Sequence, residues 1–234
     1  MKKFMPVSLV AGIVLAVISA GPTSPVRAQS AGLVSSIVNR LDQNNRSLKS
    51  LRAKISMEKY NSQLREKETY QGMVLYIPGA NKSAAFIRLE WTTPLNEILT
   101  VASGKYQLYR PRLKQVIEGT TGSMRDGKSN DVLSLMSMSS AQLRSRFGDF
   151  EDVREETLWG GVWTQHFKVT PKTAASYKYI EVWVDKEGFP VQTKMVEKND
   201  DATTIRLSSL DKNQGISRDL FTQKFDDSVK RIKG

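Results

Sequence analysis

Few residues of this 234-residue chain have the types and spacing that chemistry requires. His166 is the single histidine, and cysteine is absent, which excludes thiolate nucleophiles and thiolate-bound zinc. In its segment His166 alternates in register with Thr164 and Lys168, so we expect it on the polar, solvent-facing side of a strand. A serine hydrolase would have to use this histidine, yet the chain has no Gly-x-Ser-x-Gly elbow.

Two other patterns could bind a metal or a phosphate. A dense acidic run surrounds Arg154, which indicates a solvated sheet edge; its members are Asp149, Glu151, Asp152, Glu155 and Glu156. Residues 122–129 (GSMRDGKS) match the phosphate-binding pattern G-x-x-x-x-G-K-[ST]. The phosphate-binding loop of this pattern occurs in folds in which parallel strands alternate with helices, whereas this sequence predicts mainly consecutive strands. We therefore expect no catalytic residue, no metal and no cofactor; the enzymatic alternative is a secreted hydrolase that uses Glu151, Asp152 or Glu155.

The first 28 residues have the layout of a secretory signal peptide. Lys2 and Lys3 precede a 14-residue apolar run, 7–20, and the small-residue site 26–28 follows. The run is shorter than the roughly 20 residues that cross a bilayer core. We expect cleavage before Gln29, with Gly21 as a rival start, and a soluble periplasmic protein.

Composition indicates an ordinary globular protein with a basic surface. Hydrophobic residues make up 39% of the chain, and the net charge is +11. Residues 29–234 suffice for a single domain, and we expect a monomer. A basic surface suits anionic membranes, nucleic acid or acidic proteins, and export makes nucleic acid the least favoured partner, so we expect none.

Periodicity predicts a helix followed mainly by strands. An apolar stripe of period near four predicts a helix over 30–47, and a second helix is expected over 131–147 after a Gly/Ser-rich loop at 119–130. Period-two alternation, tight turns and short apolar runs predict strands near 51–58, 69–76, 85–91, 96–102, 105–110, 115–118, 150–156, 162–170, 179–184, 190–197 and 203–210. Strands this frequent indicate an antiparallel sheet that curls or closes.

One apolar combination stands out. Ile87, Leu89 and Trp91 share a face of the cleanest predicted strand, and the 131–147 helix carries Leu135, Met136 and Met138. Flexible methionine suits a pocket that accepts varied apolar ligands. Ordinary packing of a helix on a sheet is the alternative.

Several ordered segments carry a family resemblance. Residues 87–111 (IRLEWTTPLNEILTVASGKYQLYRP) combine an aromatic strand, a proline turn, an Ile-Leu-Val strand, a glycine hairpin and Tyr-x-Pro. Residues 179–185 with 188–190 (GFP), and residues 203–221, continue the series in the same order. Together they resemble the LolA-type family of periplasmic outer-membrane lipoprotein carriers.

The resemblance implies a mainly β (α+β) fold: an incomplete, curved antiparallel β-barrel with a helical lid that encloses an apolar cavity. The cavity would hold lipoprotein acyl chains, and we assign to it Ile87, Leu89, Trp91, Ile98, Leu108, Leu135, Met136 and Met138. A basic residue gates the lid in the family; Lys82 is the nearest counterpart, with Arg88 as a second candidate.

The partners that the resemblance implies are acylated lipoproteins, an inner-membrane lipoprotein-releasing transporter and an outer-membrane acceptor. The missing cysteine favours the soluble carrier over the lipid-anchored receptor. The main alternative is a periplasmic regulatory domain that senses lipid or lipoprotein and binds an anti-sigma partner.

Overall fold

A single curved sheet dominates the protein. The computed structural model describes residues 26–79, 85–123 and 139–234. Within them twelve strands pair in the order β12-β6-β5-β4-β3-β2-β1-β11-β10-β9-β8-β7. Neighbouring strands of the described chain pair in antiparallel fashion, except β12 with β6, which are parallel. The mainly β fold with an open, curved sheet is therefore confirmed.

The strands and helices follow the sequence periodicity closely. The strands are β1 Leu51–Asn61, β2 Glu66–Ile77, β3 Phe86–Thr93, β4 Glu97–Ala102, β5 Lys105–Arg110, β6 Gln115–Thr120, β7 Glu151–Leu158, β8 Val162–Val169, β9 Tyr177–Asp185, β10 Pro190–Glu197, β11 Ala202–Lys212 and β12 Lys230–Lys233. Helix α1 spans Val26–Ser47 and helix α2 spans Ser140–Arg146; 3-10 turns occupy Pro111–Leu113 and Arg218–Phe221.

Cross-strand pairing assigns each side chain to a face, because directly paired residues point the same way. Leu89 pairs with Val74 and Leu99, and this side of the sheet, which continues through Ile205 to Val182, is called the inner face. The other side, which carries Arg88, is called the outer face.

Both helices lie on the inner face at the β8–β9 end of the sheet. Ile37 and Leu41 of α1, with Leu143 of α2, form one buried cluster with residues of β8 and β9 such as Phe167 and Val182. The turn between β9 and β10 meets α1 closely: a Cβ added to Gly188 would lie 2.1 Å from the backbone oxygen of Arg40. Because Gly188 also has a φ of +83°, only glycine fits this contact without strain.

The C-terminal strap, residues 216–229, crosses the outer face of β3 to β6. Phe221 packs on Phe86 with ring centroids 5.7 Å apart, and Phe225 packs on Tyr109 at 5.0 Å. The Gln223 side-chain amide donates to the backbone oxygens of Ile98 and Gln107, at 3.3 and 3.1 Å. The strap then leads into β12, which pairs with β6.

Several predicted boundaries shift. Helix α1 begins at Val26 rather than at residue 30, and β2 begins at Glu66 rather than at 69. Of the predicted 131–147 helix, Ser140–Arg146 is helical, whereas residues 131–138 lie outside the described residues. Strand β12 was not predicted, because four residues with one apolar member show no usable period.

Candidate functional site

The inner face carries an apolar row that runs across six strands. Its side chains are joined by consecutive cross-strand pairs, and none is polar: Ala53, Val74, Leu89, Leu99, Leu108 and Ile117. All but Ile117 are buried, and Leu89 has no exposed surface. A parallel row two residues along each strand contains Leu51, Tyr76, Ile87, Val101 and Tyr106, and burial raises the pKa of Tyr76.

A third row of inner-face residues lies on the opposite side of the apolar row, and its side chains change from apolar to charged across the strands. It starts at Ile55, passes Gly72 and Trp91, and reaches Glu97, which pairs with Trp91 across the β3–β4 hairpin. Glu97 is buried and accepts a hydrogen bond from the Arg110 Nε at 3.0 Å. This row, from Ile55 to Arg110, is called the polar margin of the inner face.

Local structure holds Trp91 at this margin. The register of β2 against β3 shifts between Gln71 and Gly72, which sets Gly72 opposite Trp91. A Cβ at Gly72 would lie 2.1 Å from the Glu90 backbone oxygen, so the strands approach too closely there for any side chain. The Tyr70 ring meets the indole edge-on, with centroids 5.9 Å apart, in the geometry that aromatic pairs prefer.

The structure brings most of the described candidate cavity residues together. Ile87, Leu89, Trp91 and Leu108 share the inner face and are buried. Ile98 does not join them, because it pairs with Glu90 and Tyr109 on the outer face. The strand Ile98-Leu99 has apolar residues on both faces, so its sequence alone does not show which one points inward. Leu135, Met136, Met138 and the gating candidate Lys82 lie outside the described residues.

Arg88, the second gating candidate, also points to the outer face. Its Nη1 donates to the backbone oxygen of Leu220 at 2.8 Å, and its Nε meets the Glu90 carboxylate at 2.5 Å. Arg88 thus fastens the C-terminal strap to β3, and its placement gives no support to a role in gating the inner face.

Sequence reasoning missed the charged pair Glu97 and Arg110. The signal was present in the hairpins: Trp91 and Glu97 flank the Pro94 turn, and Glu97 and Arg110 flank the turn at Ser103-Gly104. Such symmetric spacing brings residues together in antiparallel hairpins.

His166 is buried, which corrects the solvent-facing position expected from the sequence. Its side chain has no exposed surface and packs on the Trp183 ring at 4.7 Å. Its Nδ1 lies 3.0 Å from the Asp152 backbone oxygen, and its Nε2 lies 3.1 Å from the Glu181 carboxylate. The polar pattern of β8 was detected correctly, but the Trp183 and Glu181 side chains of β9 and the Asp152 carbonyl of β7 contact the ring and bury it.

The hydrogen bond from His166 lowers the pKa of Glu181, and Lys194, whose Nζ lies 3.3 Å away, acts in the same direction. Burial opposes both effects. The three side chains form a compact polar cluster on the outer face, away from the apolar row.

A separate cavity of about 570 Å³ lies mostly on the outer face, between the C-terminal strap and β4 to β6. Its wall combines Phe221 with polar side chains that include Thr100, Gln107 and Glu118. Glu118 pairs with Arg231 at 2.9 Å and with Gln107 at 2.8 Å. Because its wall includes these polar and charged side chains, the cavity differs in chemistry from the apolar site predicted for acyl chains.

Across the described ranges, no three His, Asp or Glu side chains stand close enough to hold a metal ion. Four members of the acidic run lie on edge strand β7, as expected, where Arg154 pairs with Asp152 and with Glu156, and Asp149 precedes the strand. Of the phosphate-loop match, residues 124–129 lie outside the described residues. Neither helix of the described chain combines the length and the apolar character that a membrane span needs.

Comparison with solved structures supports the fold. The chain superposes on MucB with a TM-score of 0.54 at 17% identity, covering 87% of this chain and 65% of MucB. An uncharacterized conserved protein from Thermus thermophilus gives a TM-score of 0.53 at 9% identity, covering 86% and 99% of the two chains. The chain thus spans slightly less than two thirds of MucB, and at these identities the likeness concerns the fold alone.

Comparison at the sequence level is more specific. No curated protein matches the chain. The family model described as outer membrane lipoprotein carrier protein LolA matches residues 46–224, which include every strand from β1 to β11. Proteins of this family are extracytoplasmic binding and carrier proteins, and their fold suggests binding of lipid or lipoprotein. The chain therefore belongs to the LolA family.

Proposed function

We propose that this protein is a soluble periplasmic carrier that shields the acyl chains of lipoproteins on their way from the inner to the outer membrane. The observation that carries the proposal is the apolar row of the inner face, from Ala53 to Ile117, in a chain of the LolA family. The buried inner-face residues Ile87, Leu89, Trp91 and Leu108 are the proposed acyl-binding residues.

The free energy of transferring an acyl chain from water to an apolar site favours such a carrier. Each CH₂ group that moves from water to an apolar site contributes about 0.8 kcal/mol, so an acyl chain needs an apolar shelter to cross an aqueous compartment. The carrier would receive its cargo from an inner-membrane lipoprotein-releasing transporter and deliver it to an outer-membrane acceptor. This binding and release need no covalent chemistry.

Export is part of the proposal. Residues 1–28 would be removed as a signal peptide, which leaves residues 29–234 as a single domain. Sequencing of the N-terminus of the exported form should give a start near Gln29. Recovery of residues 1–20 on the protein in membranes would contradict this.

The central test is identification of the bound cargo. Protein purified from the periplasm should retain lipoprotein or lipid that mass spectrometry identifies. A photo-crosslinking amino acid at position 91, on the inner face, should capture lipoprotein in cells. The same amino acid at position 159 is the matched control, because Trp159 is 88% exposed on the hairpin between β7 and β8.

The outcomes separate the candidate roles. Equal capture at positions 91 and 159 would contradict the carrier. Capture at position 91 without transfer of lipoprotein to outer-membrane vesicles would indicate a lipid-sensing regulatory domain instead.

A further inference from the structure

The buried indole of Trp91 has a polar atom that the described fold does not use. Trp91 is 1% exposed, and among the described residues its Nε1 has no hydrogen-bond partner. Leaving a buried donor unpaired is unfavourable, and most buried polar groups in native proteins have a partner. An unpaired donor on the inner face therefore points to an acceptor that is supplied from outside the described part of the fold.

The position of this donor indicates the chemistry of its partner. On one side of Trp91, along the strand, lies Leu89 in the apolar row. On the other side, across the hairpin, lies Glu97 with its partner Arg110. A ligand that spans this boundary must be apolar where it meets Leu89 and must carry an acceptor where it meets Trp91.

We propose that the Trp91 Nε1–H donates a hydrogen bond to the carbonyl oxygen of a fatty acyl group, an ester or an amide, whose hydrocarbon chain lies along the apolar row. This inference rests on the proposed function and adds the orientation of the cargo. The acyl linkage sits at the polar margin, the head group extends towards Arg110, and the chain runs towards Leu89, Leu99 and Leu108.

Glu97 is unsuited to take the role of the acceptor. Its carboxylate is already engaged by the Arg110 Nε at 3.0 Å, and the indole has no hydrogen bond to it. Tyr70, which packs on the indole edge, directs its hydroxyl to the Glu68 carboxylate at 2.7 Å. These two neighbouring polar side chains thus have partners of their own, and the indole N–H has none among the described residues.

The chain contains a matched control. Within the part of the chain that the structure describes, Trp183 is also buried with an unpaired Nε1, but its pairing with Gln192 places it on the outer face, against His166. A Trp→Phe substitution removes the same donor at either position. Only the substitution on the inner face should change how an acyl carbonyl is bound.

The experiment compares three probes of similar chain length on the purified exported protein: methyl laurate, N-methyl lauramide and tridecane, each displacing N-phenyl-1-naphthylamine. Trp91→Phe should weaken binding of the ester and the amide about fivefold, the factor for about 1 kcal/mol, and leave tridecane within about twofold. The ester and amide arms separate a glyceride-type linkage from an N-acyl linkage. Trp183→Phe should leave all three unchanged.

A second measurement covers the case in which Trp91→Phe fails to fold. In the unsubstituted protein, methyl laurate should move the ¹H resonance of the Trp91 indole N–H downfield in a ¹H–¹⁵N spectrum, and tridecane should not. Equal weakening of all probes by Trp91→Phe, or an indole resonance that does not respond, would overturn the inference while the carrier role stands. Failure of every probe to bind the unsubstituted protein would overturn both.

Discussion

At the scale of single residues, His166 shows how a polar side chain can become structural. Both of its ring nitrogens face acceptors, the Asp152 backbone oxygen and the Glu181 carboxylate. Asp152 adopts a φ of +51° beside a register shift in β7, and this irregularity brings its carbonyl to the ring. The His166 side chain therefore links β8 to β7 and to β9, in addition to the backbone pairing of these strands.

We expect His166→Ala to lower the free energy of unfolding by about 2–4 kcal/mol, because it removes the buried polar contacts of the imidazole and leaves a void against Trp183. Urea unfolding measures the change. Thr157→Ala, on the exposed surface of the same hairpin, should change stability by less than about 0.5 kcal/mol. Acyl-probe binding should persist in both variants, since His166 lies on the outer face and Thr157 lies on edge strand β7, at the end of the sheet away from the apolar row of β1 to β6. Loss of binding in folded His166→Ala would contradict this separation.

The same cluster predicts a dependence of stability on pH. His166 first, and then Lys194, hold the pKa of Glu181 below its usual 4.5 in the folded protein. A lowered folded-state pKa means that the ionised carboxylate stabilises the fold above about pH 4.5, and this contribution disappears as the pH falls through the folded-state pKa.

Unfolding free energies measured from pH 6 down to about pH 3 should therefore fall less steeply in Glu181→Gln than in the unsubstituted protein. Glu155→Gln is the control, because this glutamate is exposed on edge strand β7. Parallel pH profiles for Glu181→Gln and the unsubstituted protein would rule out this linkage.

At the scale of elements, the C-terminal strap holds the β3–β6 half of the sheet from outside. Phe221 is only 2% exposed and anchors the strap on Phe86, while Arg88 binds the neighbouring Leu220 oxygen. The strap leads into β12, so it also places the strand that closes one edge of the sheet.

We expect Phe221→Ala to destabilise the protein by about 3–5 kcal/mol, the usual range for a buried phenylalanine. Leu220→Ala is the matched control: its side chain is 40% exposed and its contact to Arg88 uses the backbone oxygen, so the loss should stay below about 1 kcal/mol. Guanidinium unfolding compares the two. Similar losses would show that the anchor is the backbone contact and not the aromatic pair.

At the scale of the whole molecule, the two faces have different tasks. The outer face carries the strap and the His166 cluster, which contact partners within the chain, and it also carries the unpaired indole of Trp183, but over the described residues it has no apolar row like that from Ala53 to Ile117. The inner face carries the apolar row and the polar margin with its unpaired indole. This division locates the proposed cargo site on one face.

A charge on the inner face tests this division. Leu89→Glu should abolish acyl binding and lower the free energy of unfolding by about 3 kcal/mol or more, because a carboxylate in the apolar row has no partner. Met73→Glu is the control, since Met73 is 38% exposed on the outer face of the adjacent strand. Circular dichroism must show that both variants fold. Retained acyl binding in folded Leu89→Glu would place the cargo elsewhere.

The elements could be predicted from the sequence because their signals are local. The alternation at 51–57 and 85–91 reflects the geometry of one strand, and Ser103-Gly104 encodes its own hairpin. The inner-face positions of Ile87, Leu89 and Trp91 follow from the same period. The same hairpin symmetry, applied to polar residues, would also have predicted the contact between Glu97 and Arg110.

Burial, by contrast, depends on residues that are distant in sequence. His166 alternates as an exposed residue would, and only the packing of Trp183 and Glu181 from β9 removes it from water. Ile98 belongs to a strand that is apolar on both faces, so its side was decided by the pairing of Leu99 with Leu89. The sequence by itself determined the strands, their turns and the alternation of their side chains, because these depend on neighbouring backbone units. Tertiary structure alone decided which faces of the sheet are covered, because covering segments such as the C-terminal strap come from distant parts of the chain.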